Sequence, residues 1–175
     1  MSLHILIDGY NLIRQSKGLA AMERASLQDG REALLERLAS YKRIKHHPIT
    51  VVFDGTHAHD PLQGRTRYKG INVLFSRPGE LADTVIKRLV TRERERAVVV
   101  SSDKEITDFA ALKGSATMDS LAFENKMAWA TQVDPTSGDF GQEDLPGWKP
   151  TTKKKGPSRR PPKQKRKSRS RTQKL

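Results

Sequence analysis

The chain has 175 residues, enough for one ordinary domain with a real core and too few for two comfortable ones. Its formal charge of +13 is unevenly placed: all 20 Asp and Glu lie between Asp8 and Asp144, while thirteen of the 33 Lys and Arg lie from Lys149 on, so the body is neutral and the charge belongs to the tail. Cysteine is absent, which excludes disulfides, thiolate metal sites and a cysteine nucleophile, and leaves any metal to oxygen or imidazole ligands.

The first apolar run, Leu3 to Ile7, is stopped by Asp8-Gly9. It is too short for a signal peptide or a membrane span, and no other stretch approaches the ~20 apolar residues a span needs. A cytoplasmic protein with no membrane partner is therefore expected. Continuous runs of this length suit strands buried on both faces, as in a parallel sheet. From Leu27 through Leu34, Leu35, Leu38 and Tyr41 the spacing is helical, with Ser26 and Asp29 able to cap the start. A second run, Ile49 to Phe53, is stopped by Asp54-Gly55. The stretch from Gly55 to Gly70 has no helical period; it holds His57, His59 and Asp60 and the cations Arg65, Arg67 and Lys69, and reads as a long functional loop.

Ile71 to Phe75 and Ala97 to Val100 are further strands. Between them Leu81, Val85 and Leu89 repeat at i, i+4 and predict a helix over 80–93. Ser102 and Glu105 have capping-box spacing, and Gly114 stands where a helix from Ser102 to Lys113 should stop. Ser115 to Met118 is a weaker strand, and Leu121 to Ala130 a last helix with Phe123, Met127 and Ala130 inward. This order predicts an α/β domain over 1–132, an open, largely parallel sheet with helices on both faces. Residues 133–175 read as a linker and a disordered Lys/Arg-rich tail, because Lys, Arg, Pro and Ser cannot bury enough apolar surface to offset ordering entropy. Lys153, Lys154, Lys155, Arg159 and Arg160 would attract a polyanion by counterion release, with RNA as the expected partner and anionic lipid as the competing one.

Ligands of open parallel sheets bind beyond the carboxyl ends of the strands. Asp8, Asp54 and Asp103 each follow a strand, and Asp83 opens a helix at the same edge. Four carboxylates converging there repel one another, and a hard cation such as magnesium or manganese would relieve them while serving phosphodiester hydrolysis. Plainer accounts exist for each: hairpin turns at Asp8-Gly9 and Asp54-Gly55, a helix-dipole role for Asp103, and an i, i+4 pair of Asp83 with Lys87. Asn11 could bond a phosphate or cap its own turn. His57, His59 and Asp60 could bind a transition metal or be ordinary loop residues. Arg65, Arg67 and Lys69 suit a nucleic-acid backbone.

Ile5-Leu6-Ile7-Asp8-Gly9-Tyr10-Asn11-Leu12-Ile13, Val51-Val52-Phe53-Asp54-Gly55, Gly79-Glu80-Leu81-Ala82-Asp83 and Val100-Ser101-Ser102-Asp103 resemble, in order and spacing, the signature segments of YacP-like NYN proteins, relatives of PIN-domain nucleases. The resemblance runs from about Leu3 to Trp129. It implies a PIN-like three-layer α/β/α fold and metal-dependent endoribonuclease activity with Mg2+ or Mn2+. It implies metal ligands at Asp8, Asp54, Asp83 and Asp103, with Asn11 in the catalytic site. The implied substrates are RNAs, including messenger RNA and RNA on the ribosome. Two rivals stand beside it. An aspartyl phosphatase usually carries a second Asp two residues after the first, where this chain has Tyr10. A non-catalytic RNA- or ribosome-binding protein would account for the tail but gains nothing from clustered acids where phosphates must sit.

Overall fold

The computed structural model describes residues 3–55, 65–132 and 163–175. Six strands form one sheet: β1 (His4–Asp8), β2 (Ile49–Phe53), β3 (Arg65–Tyr68), β4 (Ile71–Phe75), β5 (Ala97–Val100) and β6 (Ala116–Met118), in the order β3-β4-β2-β1-β5-β6. All pairings are parallel except that of β3 with β4. The apolar runs are continuous because both faces are covered. Ile5, Ile7, Val51, Phe53, Val98 and Val100 face α1 (Gly9–Gln15), α2 (Lys17–Ala25), α3 (Leu27–Lys45) and α6 (Ser120–Gln132). Leu6, Val52 and Val99 face α4 (Ala82–Glu93) and α5 (Lys104–Leu112) through Val85, Ile86, Leu89 and Ile106. Alternation along each strand thus feeds two cores, and the three-layer α/β/α expectation holds.

Three departures from the sequence reading have local causes. The helical period first noticed at Leu27 is preceded by α1 and α2, each too short to display a period. Ser16 joins them: its N–H donates to Leu12 O and Ile13 O, both at 3.2 Å, and its Oγ accepts from Leu19 N at 3.3 Å. The expected long loop ends in a hairpin, where Lys69 and Gly70 have φ of 44° and 83° and connect β3 to β4. Two successive positive φ values match the twist of paired strands. Arg65 and Arg67 therefore stand on an edge strand, and Lys69 Nζ donates to Glu36 at 2.6 and 2.8 Å.

The third departure is the end of the tail, where residues 163–173 form a helix, α7 (Lys163–Gln173). Arg171 donates to Gly114 O at 2.8 Å and to Glu95 at 2.9 Å, and Lys167 lies 3.8 Å from Glu95. Leu175 is buried in the core, and Tyr41 Oη donates to its carbonyl at 2.6 Å. Composition does not reveal this, because the docking rests on one apolar residue and on cations that find a carboxylate and a carbonyl. No helix among the described residues is long and apolar enough to cross a membrane.

Candidate functional site

The carboxyl ends of the five parallel strands share one edge. The chain leaves β1 toward β2 on one side, and later returns from β4 to β5 on the other, so the switch of strand order falls between β1 and β5. Asp8 ends β1 at that point. Its Oδ1 accepts from Asn11 N at 3.2 Å, capping α1, and its Oδ2 accepts from Ser101 Oγ at 3.4 Å. Burial pushes the Asp8 carboxyl up to about 6; the Asn11 N–H opposes this, the charge of Asp83 adds to it, Ser101 opposes, and Asp103 adds again.

Asp83 lies in the first turn of α4, whose N-cap, Leu81, offers no side-chain bond. Its carboxyl is also raised, first by burial and then by Asp103, against the pull of Lys87. The hydrogen-bonded partner of Lys87 is Glu105 rather than Asp83, so the simple i, i+4 pair is not formed. Asp103 is the N-cap of α5, accepting from Glu105 N at 2.7 Å and Ile106 N at 3.4 Å. The expected cap was Ser102. The structural role and the charge role of Asp103 coexist, since capping uses one oxygen while the charge reaches Asp8 and Asp83.

Ser102 turns instead to Asp119, donating from Oγ at 2.6 Å. Asp119 follows β6 and caps α6, accepting from Leu121 N at 3.0 Å and Ala122 N at 3.4 Å. Bonds from Ser102 and from those amides hold its carboxyl below the usual value, burial opposing. This acid is not among the residues expected at the site, although it follows Met118 as Asp8 follows Ile7. Asn11 stitches the same edge together: its Oδ1 accepts from Ser102 N at 2.9 Å and Ser120 Oγ at 2.7 Å.

Asp54 ends β2 beside β1, and its charge is felt at Tyr10. Neither Asp-Gly step is a hairpin: Gly9 enters α1, and Gly55 N donates to Ser76 Oγ at 3.0 Å. A Cβ at position 55 would stand 2.1 Å from Ser76 O, so glycine is demanded by the close approach of two strand ends. Of the residues expected at a nucleic-acid backbone, Arg67 is exposed on β3 and Lys69 is engaged by Glu36. His57, His59, Asp60, Lys153, Lys154, Lys155, Arg159 and Arg160 lie outside the described residues.

Among the described residues no three His, Asp or Glu side chains close into a metal cage. The acidic edge nonetheless fits a hard cation, because Asp8 is half-buried with two further carboxylates pressing on its charge. Magnesium is commonly held by one or two carboxylates, with water and phosphate oxygens completing the shell, and needs no cage.

The chain resembles known proteins across most of its length. The pattern of the YacP-like NYN domain family matches residues 5–169. The uncharacterized protein YacP of Bacillus subtilis (strain 168) is 29% identical over 85 residues, which is 49% of this chain and 49% of the relative, so only about half of that protein's length is spanned. A crystal structure of Rae1 (YacP) from Bacillus subtilis superposes with a TM-score of 0.63 at 23% identity, covering 75% of this chain and 76% of the other. A point mutant of the same protein gives 0.62 at 20%, covering 74% and 76%. At those identities the solved structures speak for the fold. The family match goes further: this chain belongs to the YacP-like NYN domain family, within the PIN-like nuclease superfamily.

Proposed function

We propose that this protein is a metal-dependent endoribonuclease that hydrolyses RNA phosphodiester bonds at the acidic edge. One observation carries the reading: Asp8, half-buried at the switch of strand order, is pressed by the charges of Asp83 and Asp103. A pure binder of polyanions has no use for that arrangement, which repels phosphate unless a cation intervenes. Asp8, with Asp83 or Asp103 beside it, would hold Mg2+ or Mn2+ together with water and phosphate oxygens, with Asp54 at the flank of the site. Bound there, the ion supplies Lewis acidity toward a phosphate oxygen and offsets the charge that develops during hydrolysis. The chain's own residues position the carboxylates. Asn11 fixes the β5–α5 turn through Ser102 N, and Ser101 bridges Asp8 to Asp103, donating to Asp8 and accepting from Asp103 N at 3.1 Å.

The substrate is read as messenger RNA or ribosome-associated RNA in the cytoplasm, with the cations of the tail, among them Lys153, Lys154, Lys155, Arg159 and Arg160, supplying long-range attraction. The test is cleavage of a generic single-stranded RNA by purified wild type and Asp8→Asn, with magnesium, manganese or chelator. Metal-dependent cleavage lost in the variant is expected. Binding without cleavage under every condition would leave the non-catalytic RNA- or ribosome-binding reading in its place.

A further inference from the structure

α4 packs over β1, β2 and β5, and its contacts thin out toward β4 on the same sheet face. There the surface sinks into a groove of about 840 Å³, within the range of about 300–1,000 Å³ in which pockets bury small ligands. Leu74 and Leu89 form part of its floor, and Arg77, Arg88 and Arg92 stand around it. Arg88 and Arg92 are one helical turn apart on α4, with side chains 66% and 58% exposed, and Val85 and Leu89 share their stripe.

Arg77 is set by a tight turn. Arg77-Pro78-Gly79-Glu80 closes with Glu80 N donating to Arg77 O at 2.9 Å, and Gly79 has the positive φ, 80°, that the third residue of a type II turn requires. The acid in the groove wall, Glu80, is engaged by Arg88. Arg92 in turn donates from Nε and Nη2 to Glu93, at 3.2 and 3.1 Å, so three arginines stand against two carboxylates and the groove keeps a net positive charge.

The groove is continuous with the acidic edge. The Ser76 carbonyl and hydroxyl meet Gly55, next to Asp54, and the same connection leads from Arg77 to Asp83 at the head of α4. Leu74 lies on the sheet face that also carries Leu6 and Val52, the residues two before Asp8 and Asp54. On the far side of β4, Arg65 stands opposite Leu74 and Arg67 opposite Asn72. A basic, partly apolar channel thus begins where the carboxylates end.

We propose that this groove is an RNA subsite, holding the single strand beyond the scissile phosphate, with phosphates on Arg77, Arg88 and Arg92 and bases against the apolar floor. Guanidinium groups suit both tasks, because they pair with phosphate oxygens and stack on base faces. The inference rests on the ribonuclease reading.

The experiment measures anisotropy of a labelled single-stranded oligouridylate with the full chain, in chelator so that nothing is cut. Comparison is among wild type, R88A/R92A and the charge-keeping R88K/R92K. The Ala pair should weaken binding roughly three- to tenfold at low salt. It should lower the slope of log affinity against log salt by about 1.4, or ~0.7 for each single-strand phosphate no longer neutralised. The Lys pair should keep the slope. Both arginines are exposed, so melting temperatures should stay close to wild type. If R88A/R92A binds with wild-type affinity and slope, the subsite is overturned, and an acidic protein segment becomes the better occupant. Parallel cleavage assays with manganese keep the two readings apart. Binding that depends on the arginines without any cleavage removes the nuclease and keeps the groove, whereas cleavage with arginine-independent binding does the reverse.

Discussion

Asp8 carries a conflict that can be measured. Its folded-state value of about 6 lies above the ordinary 3.8, so folding favours the protonated form. The stability this contributes is complete below about pH 4 and is lost as pH rises through about 6. Without metal, Asp8→Asn should therefore be more stable than wild type at pH 7.5 by about 1–3 kcal/mol. The advantage should shrink as pH falls through 6 and be gone near pH 4. Denaturant titrations across that range check it, and a variant less stable than wild type at pH 7.5 would contradict the burial argument. Added magnesium or manganese should raise the melting temperature of wild type and leave Asp8→Asn nearly unmoved, since an ion that binds only the folded site stabilises by mass action. Asn11 behaves differently. Asn11→Ala strands the Ser102 N–H and the buried Ser120 hydroxyl, and should cost about 1–3 kcal/mol in equilibrium unfolding as well as activity. Local spacing offered phosphate binding or turn capping for Asn11, but its oxygen is taken by residues 91 and 109 positions away. Asp8 was legible because a strand end announces itself within a few residues; the task of Asn11 exists only after the sheet has formed.

At the scale of elements, what could be read depended on length and on burial. Ile49–Phe53 and Ala97–Val100 are short, wholly buried runs bounded by Asp or Ser, and they could hardly be anything but inner strands. The short helices α1 and α2 hid behind Ser16, which ends one and starts the other. β3 escaped because Arg65-Thr66-Arg67-Tyr68 is an edge strand, with no apolar run to mark it and only the Lys69-Gly70 turn to betray it. The helix α7 was the hardest, since its Lys- and Arg-rich sequence describes a solvated chain. Deleting 163–175 should therefore lower the melting temperature, because the burial of Leu175 alone is worth roughly 1.5–3 kcal/mol. In a domain of this size each 1 kcal/mol moves the midpoint by about 2–4 °C. Tyr41→Phe, which loses only the hydroxyl bonded to the Leu175 carbonyl, should fall between the deletion and wild type. A deletion that melts like wild type would show that the docking contributes nothing.

For the whole molecule the division of charge is the governing fact, and it was visible in the sequence alone. A neutral body and a cationic segment separate attraction from chemistry, but the helix at the end makes a blunt truncation ambiguous. Replacing Lys153, Lys154, Lys155, Arg159 and Arg160 by Gln leaves α7 intact. It should flatten the salt dependence of RNA binding by up to ~0.7 in slope for each phosphate those cations had neutralised, with turnover at saturating substrate unchanged. An unchanged slope would mean that these cations do not touch RNA. The central place of β1 has another consequence, in time rather than in space. β1 is flanked by β2, from residues 49–53, and by β5, from residues 97–100. During synthesis Asp8 emerges early, yet the switch point it occupies does not exist until a strand some ninety residues later has docked beside it. Closure over that span is a late event in folding. On the proposed reading, the chain cannot cut while only its first half has been made: it carries its first carboxylate long before residues 97–103 supply the other side of the blade.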